Sequence, residues 1–172
     1  MGMSDPESCC RPRLASQQDR SCPRCGHAGT AVETQAVKAS VTDEALARIP
    51  HAAFRFCAES SCPVVYFAEI TTFATTDVRV PVWQKLPAGD RTICYCFGEN
   101  EGGIRAEILR DGRSEAVERV RAHIKARRCA CDIRNPRGVC CLGDLLAAVA
   151  RASDDIKARD DAKQRQHDVS HR

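Results

Sequence analysis

Apolar positions in the first half of the chain fall into short runs that polar or turn-forming residues interrupt. Such runs, rich in β-branched and aromatic residues, predict strands rather than long helices. The predicted strands are Ala31–Val41, Ala53–Cys57, Val64–Phe67 and Val78–Trp83. Pro81 cannot donate a ladder hydrogen bond, so we expect the last of these at a sheet edge. Asp43–Arg48 predicts a helical turn that ends before Pro50.

The second half changes to helical spacing. Apolar residues recur three or four positions apart, which predicts helices over Gly102–Arg110, Glu115–Ala126 and Asp144–Arg151. Ser114 is a favourable N-cap for the second of these helices. From Ser153 onward the residues are mostly polar and predict either a solvated helix extension or a disordered tail. A β-rich half followed by a helical half indicates the α+β class.

The same change of pattern suggests two modules between two tails. We expect a disordered N-terminal tail over residues 1–20, which contains Cys9 and Cys10, and a β-rich module over residues 21–85. A helical module over residues 90–152 and a polar tail over residues 153–172 follow. Leu86–Asp90 has turn composition and predicts the linker between the two modules.

Composition makes metal binding the favoured source of stability. Only 5% of the 172 residues are aromatic, which indicates a small hydrophobic core, while 12 are cysteines. A small core needs disulfide or metal cross-links for stability. The N-terminus has no apolar run typical of a signal peptide, and we find no stretch long enough for a membrane span. We therefore expect a cytoplasmic protein whose thiols are reduced and available to metals.

Charge and motifs exclude other function classes. A net charge of +3 without a clustered basic block argues against a nucleic-acid partner. The sequence also lacks a Ser-His-Asp set, a phosphate loop or a paired-carboxylate signal. These features indicate an electron-transfer or metal-binding protein rather than a conventional enzyme.

Two cysteine pairs in the β-rich module predict a zinc site. The segment Cys22-Pro-Arg-Cys25-Gly26 can direct both sulfurs to one metal from a tight turn, and Cys57 and Cys62 supply a second pair. Four thiolates make the closed tetrahedral site of a structural zinc. His27 is a candidate substitute ligand, but the four cysteines suffice.

The helical module carries a second cysteine pattern. Cys94-Tyr95-Cys96 precedes the first two predicted helices, and further cysteines precede the third. This order resembles bacterioferritin-associated ferredoxin and related 2Fe–2S modules, in which four thiolates hold the cluster at the helix ends. The resemblance implies that Cys94 and Cys96 are one pair of ligands. It favours Cys129 and Cys141 as the second pair, with Cys131 and Cys140 as alternatives.

The chain also resembles a more particular family, the iron–sulfur copper chaperones of the CopZ type. The resemblance rests on the cysteine pairs above and on the segment Cys129–Asp144, with its Asn135-Pro136-Arg137-Gly138 turn before Cys140-Cys141. It covers roughly residues 20–150. The resemblance implies an N-terminal domain that carries a zinc and a 2Fe–2S cluster and reduces Cu(II) to Cu(I) for an export ATPase. We find no M-x-C-x-x-C copper motif after residue 150, so we expect a separate copper-carrying partner.

These observations predict a redox protein of copper or heavy-metal handling and metal resistance. Its expected partners are a metal ion, a metal chaperone or export ATPase, and an electron donor. The alternative is an interaction module that metals stabilise, without redox activity. Two thiols left beside the cluster are either packing residues or a transient site for Cu(I) or another soft ion. Flanking arginines either raise the cluster potential or only solvate the loop; they are Arg127, Arg128, Arg134 and Arg137.

Overall fold

The computed structural model describes residues 20–89 and 91–170, with side chains to residue 166. It has a four-stranded antiparallel sheet, a two-stranded hairpin and six α-helices within those ranges, which confirms the α+β class. The predicted N-terminal tail with Cys9 and Cys10 lies outside the described residues. No helix in the described residues is both long enough and apolar enough to cross a membrane.

The sheet follows chain order and every neighbouring pair is antiparallel. Its strands are β1 (Thr30–Val32), β2 (Phe54–Phe56), β3 (Val64–Ala68) and β4 (Thr71–Ala74). Helices α1 (Thr34–Ser40) and α2 (Asp43–Leu46) connect β1 to β2. Strands β2 and β3 and the turn α2 match the sequence predictions, and Thr42 caps α2 by accepting from the Ala45 N–H at 3.3 Å.

Two predicted strands are wrong in part. The run Ala31–Val41 is a strand only at its start, and α1 occupies the rest because Ala36, Val37 and Ser40 bury one helical face. Val78–Trp83 forms no strand, since only Val78 makes an isolated bridge, to Val41. The strand at this edge of the sheet is instead β4, which follows a tight turn after β3 and pairs antiparallel with β3.

The second half consists of a hairpin and four helices. The hairpin pairs β5 (Thr92–Cys94) with β6 (Glu99–Asn100). The helices are α3 (Glu101–Asp111), α4 (Ala116–Lys125), α5 (Cys131–Arg134) and α6 (Leu142–Ser170). Two of the predicted helices agree closely with α3 and α4. The third is much longer than predicted, because the polar stretch after Ser153 continues α6 as a solvated helix.

Each half has its own hydrophobic core. The first lies between the sheet and α1, and its largest fully buried side chains are Phe54, Phe56, Tyr66 and Phe73. The second packs α3 and α4 against α6, around Ile93, Ile104, Val120 and Leu145. Leu109 in α3 and Leu146 in α6 are 66% and 42% exposed, so each helix buries only a narrow apolar face.

Two tyrosine hydroxyls join the two halves. The Tyr66 hydroxyl in β3 donates to the Pro136 carbonyl at 2.7 Å, and Pro136 lies in the loop between α5 and α6. The Tyr95 hydroxyl donates to the Pro81 carbonyl at 2.8 Å and accepts from the Trp83 N–H at 3.0 Å. Burial raises the pKa of Tyr95 to about 12, so this hydroxyl stays protonated. The halves are therefore connected by specific hydrogen bonds as well as by packing.

Replacing Tyr66 with phenylalanine tests this connection. The change deprives the buried Pro136 carbonyl of its donor, which costs about 1–3 kcal/mol. For a chain of this length the melting temperature should fall by roughly 2–10 °C. The control is Ile70→Ala at the β3–β4 turn, where the side chain is 86% exposed and its loss should have little effect. Equal melting temperatures for Tyr66→Phe and wild type would show that the hydrogen bond adds no stability.

Candidate metal centres

A tight loop before β1 presents the first cysteine pair. The Gly26 N–H donates to the Cys22 carbonyl at 2.8 Å, and the Cys22 N–H donates to the His27 carbonyl at 2.8 Å. Gly26 has φ +75°, a left-handed conformation that side chains disfavour. The glycine after Cys25 is thus required for the turn that brings both sulfurs to one side.

The second pair comes from the adjoining ends of two neighbouring strands. Cys57 follows β2 and its N–H donates to the Val65 carbonyl at 2.9 Å, while Cys62 lies just before β3. Because β2 and β3 run antiparallel, the end of one lies beside the start of the other. The sheet itself therefore brings these two cysteines together.

The four sulfurs form a compact group, which we call the four-sulfur site. Cys22 and Cys62 Sγ are 3.9 Å apart, Cys25 and Cys57 Sγ are 3.7 Å apart, and all four lie within 4.8 Å of one another. A zinc–sulfur bond of 2.3 Å gives a tetrahedral edge of about 3.8 Å. The spacing fits one tetrahedral zinc ion. The His27 side chain is hydrogen-bonded to Cys25, but it is 65% exposed and its Nε2 lies 3.5 Å from a Glu59 carboxylate oxygen.

Backbone amides and one lysine surround the four-sulfur site. The His27 N–H donates to the Cys25 sulfur and lowers the pKa of that thiol to about 6. Burial raises the pKa of Cys57 to about 12, although the Glu59 N–H and the charge of Lys85 act in the opposite direction. Lys85 is held there by donating to the Glu59 carbonyl at 2.6 Å. Without a metal, some of these neighbouring thiols must keep their protons.

The hairpin of the second half presents Cys94 and Cys96. Cys94 ends β5 and is fully buried, whereas Cys96 lies half-buried in the turn that follows. The Gly98 N–H donates to the Cys94 carbonyl at 2.8 Å, and Gly98 has φ +74°. Amides of Cys96 and Phe97 donate to the Cys94 sulfur. The turn therefore directs backbone donors towards this thiol.

The remaining cysteines come from the helix ends. Cys129 lies between α4 and α5, Cys131 begins α5, and Cys141 immediately precedes α6. Cys131 and Cys141 are buried, Cys129 is half-buried and Cys140 is exposed. The neighbours Cys140 and Cys141 thus differ in exposure, as expected for side chains that diverge. Of the sequence alternatives, the structure brings Cys131 to the site and leaves Cys140 exposed.

The second centre, which we call the five-sulfur site, joins a group of three cysteines, Cys96, Cys129 and Cys131, to the adjoining pair Cys94 and Cys141. Cys96 Sγ is 3.7 Å from Cys131 Sγ, and Cys131 Sγ is 3.1 Å from Cys129 Sγ. A hydrogen bond from the Cys141 thiol lowers the pKa of Cys94 to about 7, and this contact raises the pKa of Cys141. Cys131 accepts from the Cys141 N–H, although burial raises its own pKa. The set holds more thiols than a four-ligand cluster needs.

Several neighbours of these centres escaped the sequence analysis. Lys85 beside the four-sulfur site has no motif to mark it. Phe97 stacks on His123 of α4, with ring centroids 4.0 Å apart, and so fixes the turn that carries Cys96. The flanking arginines were named from the sequence, but the pairing of Arg137 with Asp144 at 2.8 Å was not, and the other three are exposed. These contacts join different secondary-structure elements, so the spacing of residues along the sequence does not predict them.

The comparisons with known proteins agree with this geometry. A family model described as a zinc-binding domain of the CopZ type matches residues 19–79. The copper chaperone CopZ of Archaeoglobus fulgidus is 32% identical over 120 residues, which are 70% of this chain and 57% of that protein. This chain therefore spans little more than half the length of that relative.

A solved structure extends the likeness beyond the zinc-binding domain. The X-ray structure of the Archaeoglobus fulgidus CopZ N-terminal domain matches with a TM-score of 0.64 and 31% identity. The match covers 74% of this chain and 95% of that one, so it includes part of the helical half as well. Sequence and fold thus lead to the same conclusion: the chain belongs to the CopZ family and carries that family's N-terminal zinc-binding domain.

Proposed function

We infer that this protein is a zinc- and 2Fe–2S-binding redox protein of copper handling. In this proposal one electron reduces Cu(II) to Cu(I), an external donor supplies the electron, and a metal chaperone or export ATPase receives the ion. The name of the relative from Archaeoglobus fulgidus supports the copper assignment. The single observation that carries the redox part is the five-sulfur site, which is separate from the four-sulfur site and differs from it in exposure.

The four-sulfur site is assigned a structural zinc held by Cys22, Cys25, Cys57 and Cys62. Four thiolates fill the tetrahedron, so no position stays open for water or substrate. Cys22, Cys57 and Cys62 are at most 4% exposed, which also keeps substrates away. Amide donors and Lys85 offset the negative charge of four thiolates. The metal is therefore assigned a structural role: its binding contributes folding free energy that the hydrophobic core of a small sheet does not supply.

The five-sulfur site is assigned the 2Fe–2S cluster, with Cys94, Cys96, Cys131 and Cys141 as ligands. Cys96 and Cys131 are about one tetrahedral edge apart, and Cys94 and Cys141 are in direct contact. A cluster with two thiolates on each iron requires two close pairs of this kind. We favour Cys131 over Cys129 because it is buried and contacts both Cys96 and Cys141. When bound, such a cluster accepts and donates single electrons.

The protein environment of this second site suits an electron-transfer role. Amides of Cys96, Phe97 and Ala130 donate to the ligand sulfurs, and such donors raise a reduction potential by stabilising the added negative charge. Cys141 lies at the N-terminus of α6, whose dipole acts in the same direction. Cys96 is half-buried, so this edge of the site approaches solvent and an incoming partner.

The first prediction concerns the zinc. Cys25→Ser removes one of four ligands, so zinc should fall well below one per chain while the visible absorption of the cluster remains. Because a structural zinc contributes folding free energy, the melting temperature should fall on the order of 10 °C or more. Metal analysis and thermal unfolding measure both effects. The control is Cys140→Ser, which changes an exposed thiol outside both sites. If Cys25→Ser still binds one zinc per chain, Cys25 is not a zinc ligand.

The second prediction concerns the cluster. Cys94→Ser, in protein purified without air, should abolish or shift the visible absorption because a buried ligand is lost, while zinc stays at one per chain. Iron, acid-labile sulfide and the absorption spectrum are the measurements. Cys140→Ser again serves as control and should keep the wild-type spectrum. If Cys94→Ser has that spectrum too, the cluster lies elsewhere.

The third prediction tests copper reduction directly. Protein reduced with dithionite and then freed of it is mixed with Cu(II) and a chelator selective for Cu(I). We expect one Cu(I) per cluster, with the cluster spectrum returning to its oxidised form at the same rate. Cys94→Ser should form none above the background of the free thiols. Intact, reduced clusters that leave Cu(II) unchanged would favour the interaction module without redox activity.

A further inference from the structure

The five-sulfur site contains one thiol beyond the four that the cluster requires. Cys129 is the extra one: its sulfur is 3.1 Å from that of Cys131, and Cys96, Cys129 and Cys131 all lie within 4.8 Å of one another. A sulfur this close to Cys131 Sγ also lies close to the iron that Cys131 would bind. Cys140, by contrast, is exposed and is not part of this group.

We propose that Cys129 is a reserve ligand that exchanges with Cys131 on the same iron. This inference rests on the proposed function, because the exchange requires a cluster at the five-sulfur site. In the exchange the Cys131 thiolate leaves iron and takes up a proton, while the Cys129 thiol loses a proton and binds. The number of thiolate ligands and the charge of the site therefore stay the same.

The backbone around Cys129 permits the exchange without refolding. Cys129 and Cys131 flank Ala130, whose N–H donates to Cys96 Sγ at 3.4 Å and holds this segment against the site. Arg127, with φ +55°, turns the chain out of α4, so Cys129 lies outside any helix. Rotation of a cysteine side chain moves its sulfur by about the distance that separates the two thiols.

Burial decides which cysteine binds in the resting protein. Cys131 is 7% exposed and accepts the Cys141 N–H, and both features favour it as the ligand in the resting protein. Cys129 is half-buried and follows the exposed Arg127 and Arg128. With Cys129 bound, the iron has a ligand nearer to solvent. The exchange would thus open one edge of the site to a metal ion or partner without loss of iron.

The test compares alanine variants of the two cysteines, because alanine offers no donor atom. Wild type and Cys129→Ala should have the same iron content, visible spectrum and EPR signal after reduction. Cys131→Ala should keep its iron but show shifted absorption and altered g-values, since Cys129 now binds. The double variant Cys129→Ala/Cys131→Ala should lose the cluster. Zinc content and circular dichroism show whether each variant has folded.

A matched control separates Cys129 from its exposed neighbour along the chain. Cys131→Ala/Cys140→Ala should behave as Cys131→Ala does, and loss of iron only in this variant would make Cys140 the replacement and overturn the proposal. Iodoacetamide should alkylate Cys129 in the wild-type holoprotein but not in Cys131→Ala, which mass spectrometry detects. If Cys131→Ala does not fold, Cys131→Val, which fills more of the space and also has no donor atom, is used with the same readouts.

Two further outcomes overturn the inference, and one tests the proposed function on which it rests. A folded Cys131→Ala without iron would show that Cys129 cannot take over. The same spectrum for Cys131→Ala and the double variant would show that Cys129 does not bind iron. A wild-type protein without iron or acid-labile sulfide would instead refute the proposed function, and the reserve ligand with it.

Discussion

The structure depends on bringing cysteine sulfurs closer together than free thiolates tolerate. Nine of the ten described cysteines gather in two places, with measured contacts between 3.1 and 3.9 Å. Neighbouring thiolates at such distances repel each other. Burial adds to this cost, since it raises the pKa of Cys57. Only a bound cation lets all the thiols of a site ionise together. The folded chain is therefore more stable with metal bound than without it.

The two centres differ in what surrounds them, and this difference separates their roles. The four-sulfur site is formed by a glycine turn and two strand ends, and its ligands are nearly all inaccessible. The five-sulfur site is formed by a hairpin turn and helix ends, and part of it reaches solvent through Cys96 and Cys129. A closed site stabilises the fold, whereas a site with an accessible edge can exchange electrons. Family membership supports the first role directly and the second as a proposal.

Contacts between the halves hold the centres in one body. Tyr66 donates from the sheet core to the loop after α5, and Tyr95, between two cysteines, is bonded to the segment after the sheet. Helix α1 packs on α5, which begins at Cys131. None of these partners is near in sequence, so the coupling exists only in the folded chain.

The sequence alone determined the α+β class, strands β2 and β3, helices α3 and α4, and the two groups of cysteines. These follow from short-range patterns, namely apolar spacing, capping residues and cysteine pairs, that need no distant partner. Tertiary structure alone decided that 34–40 is a helix, that β4 rather than 78–83 completes the sheet, and that Cys131 lies at the centre of its group. Each of these depends on which distant surface buries a residue, and local spacing contains no information about that surface.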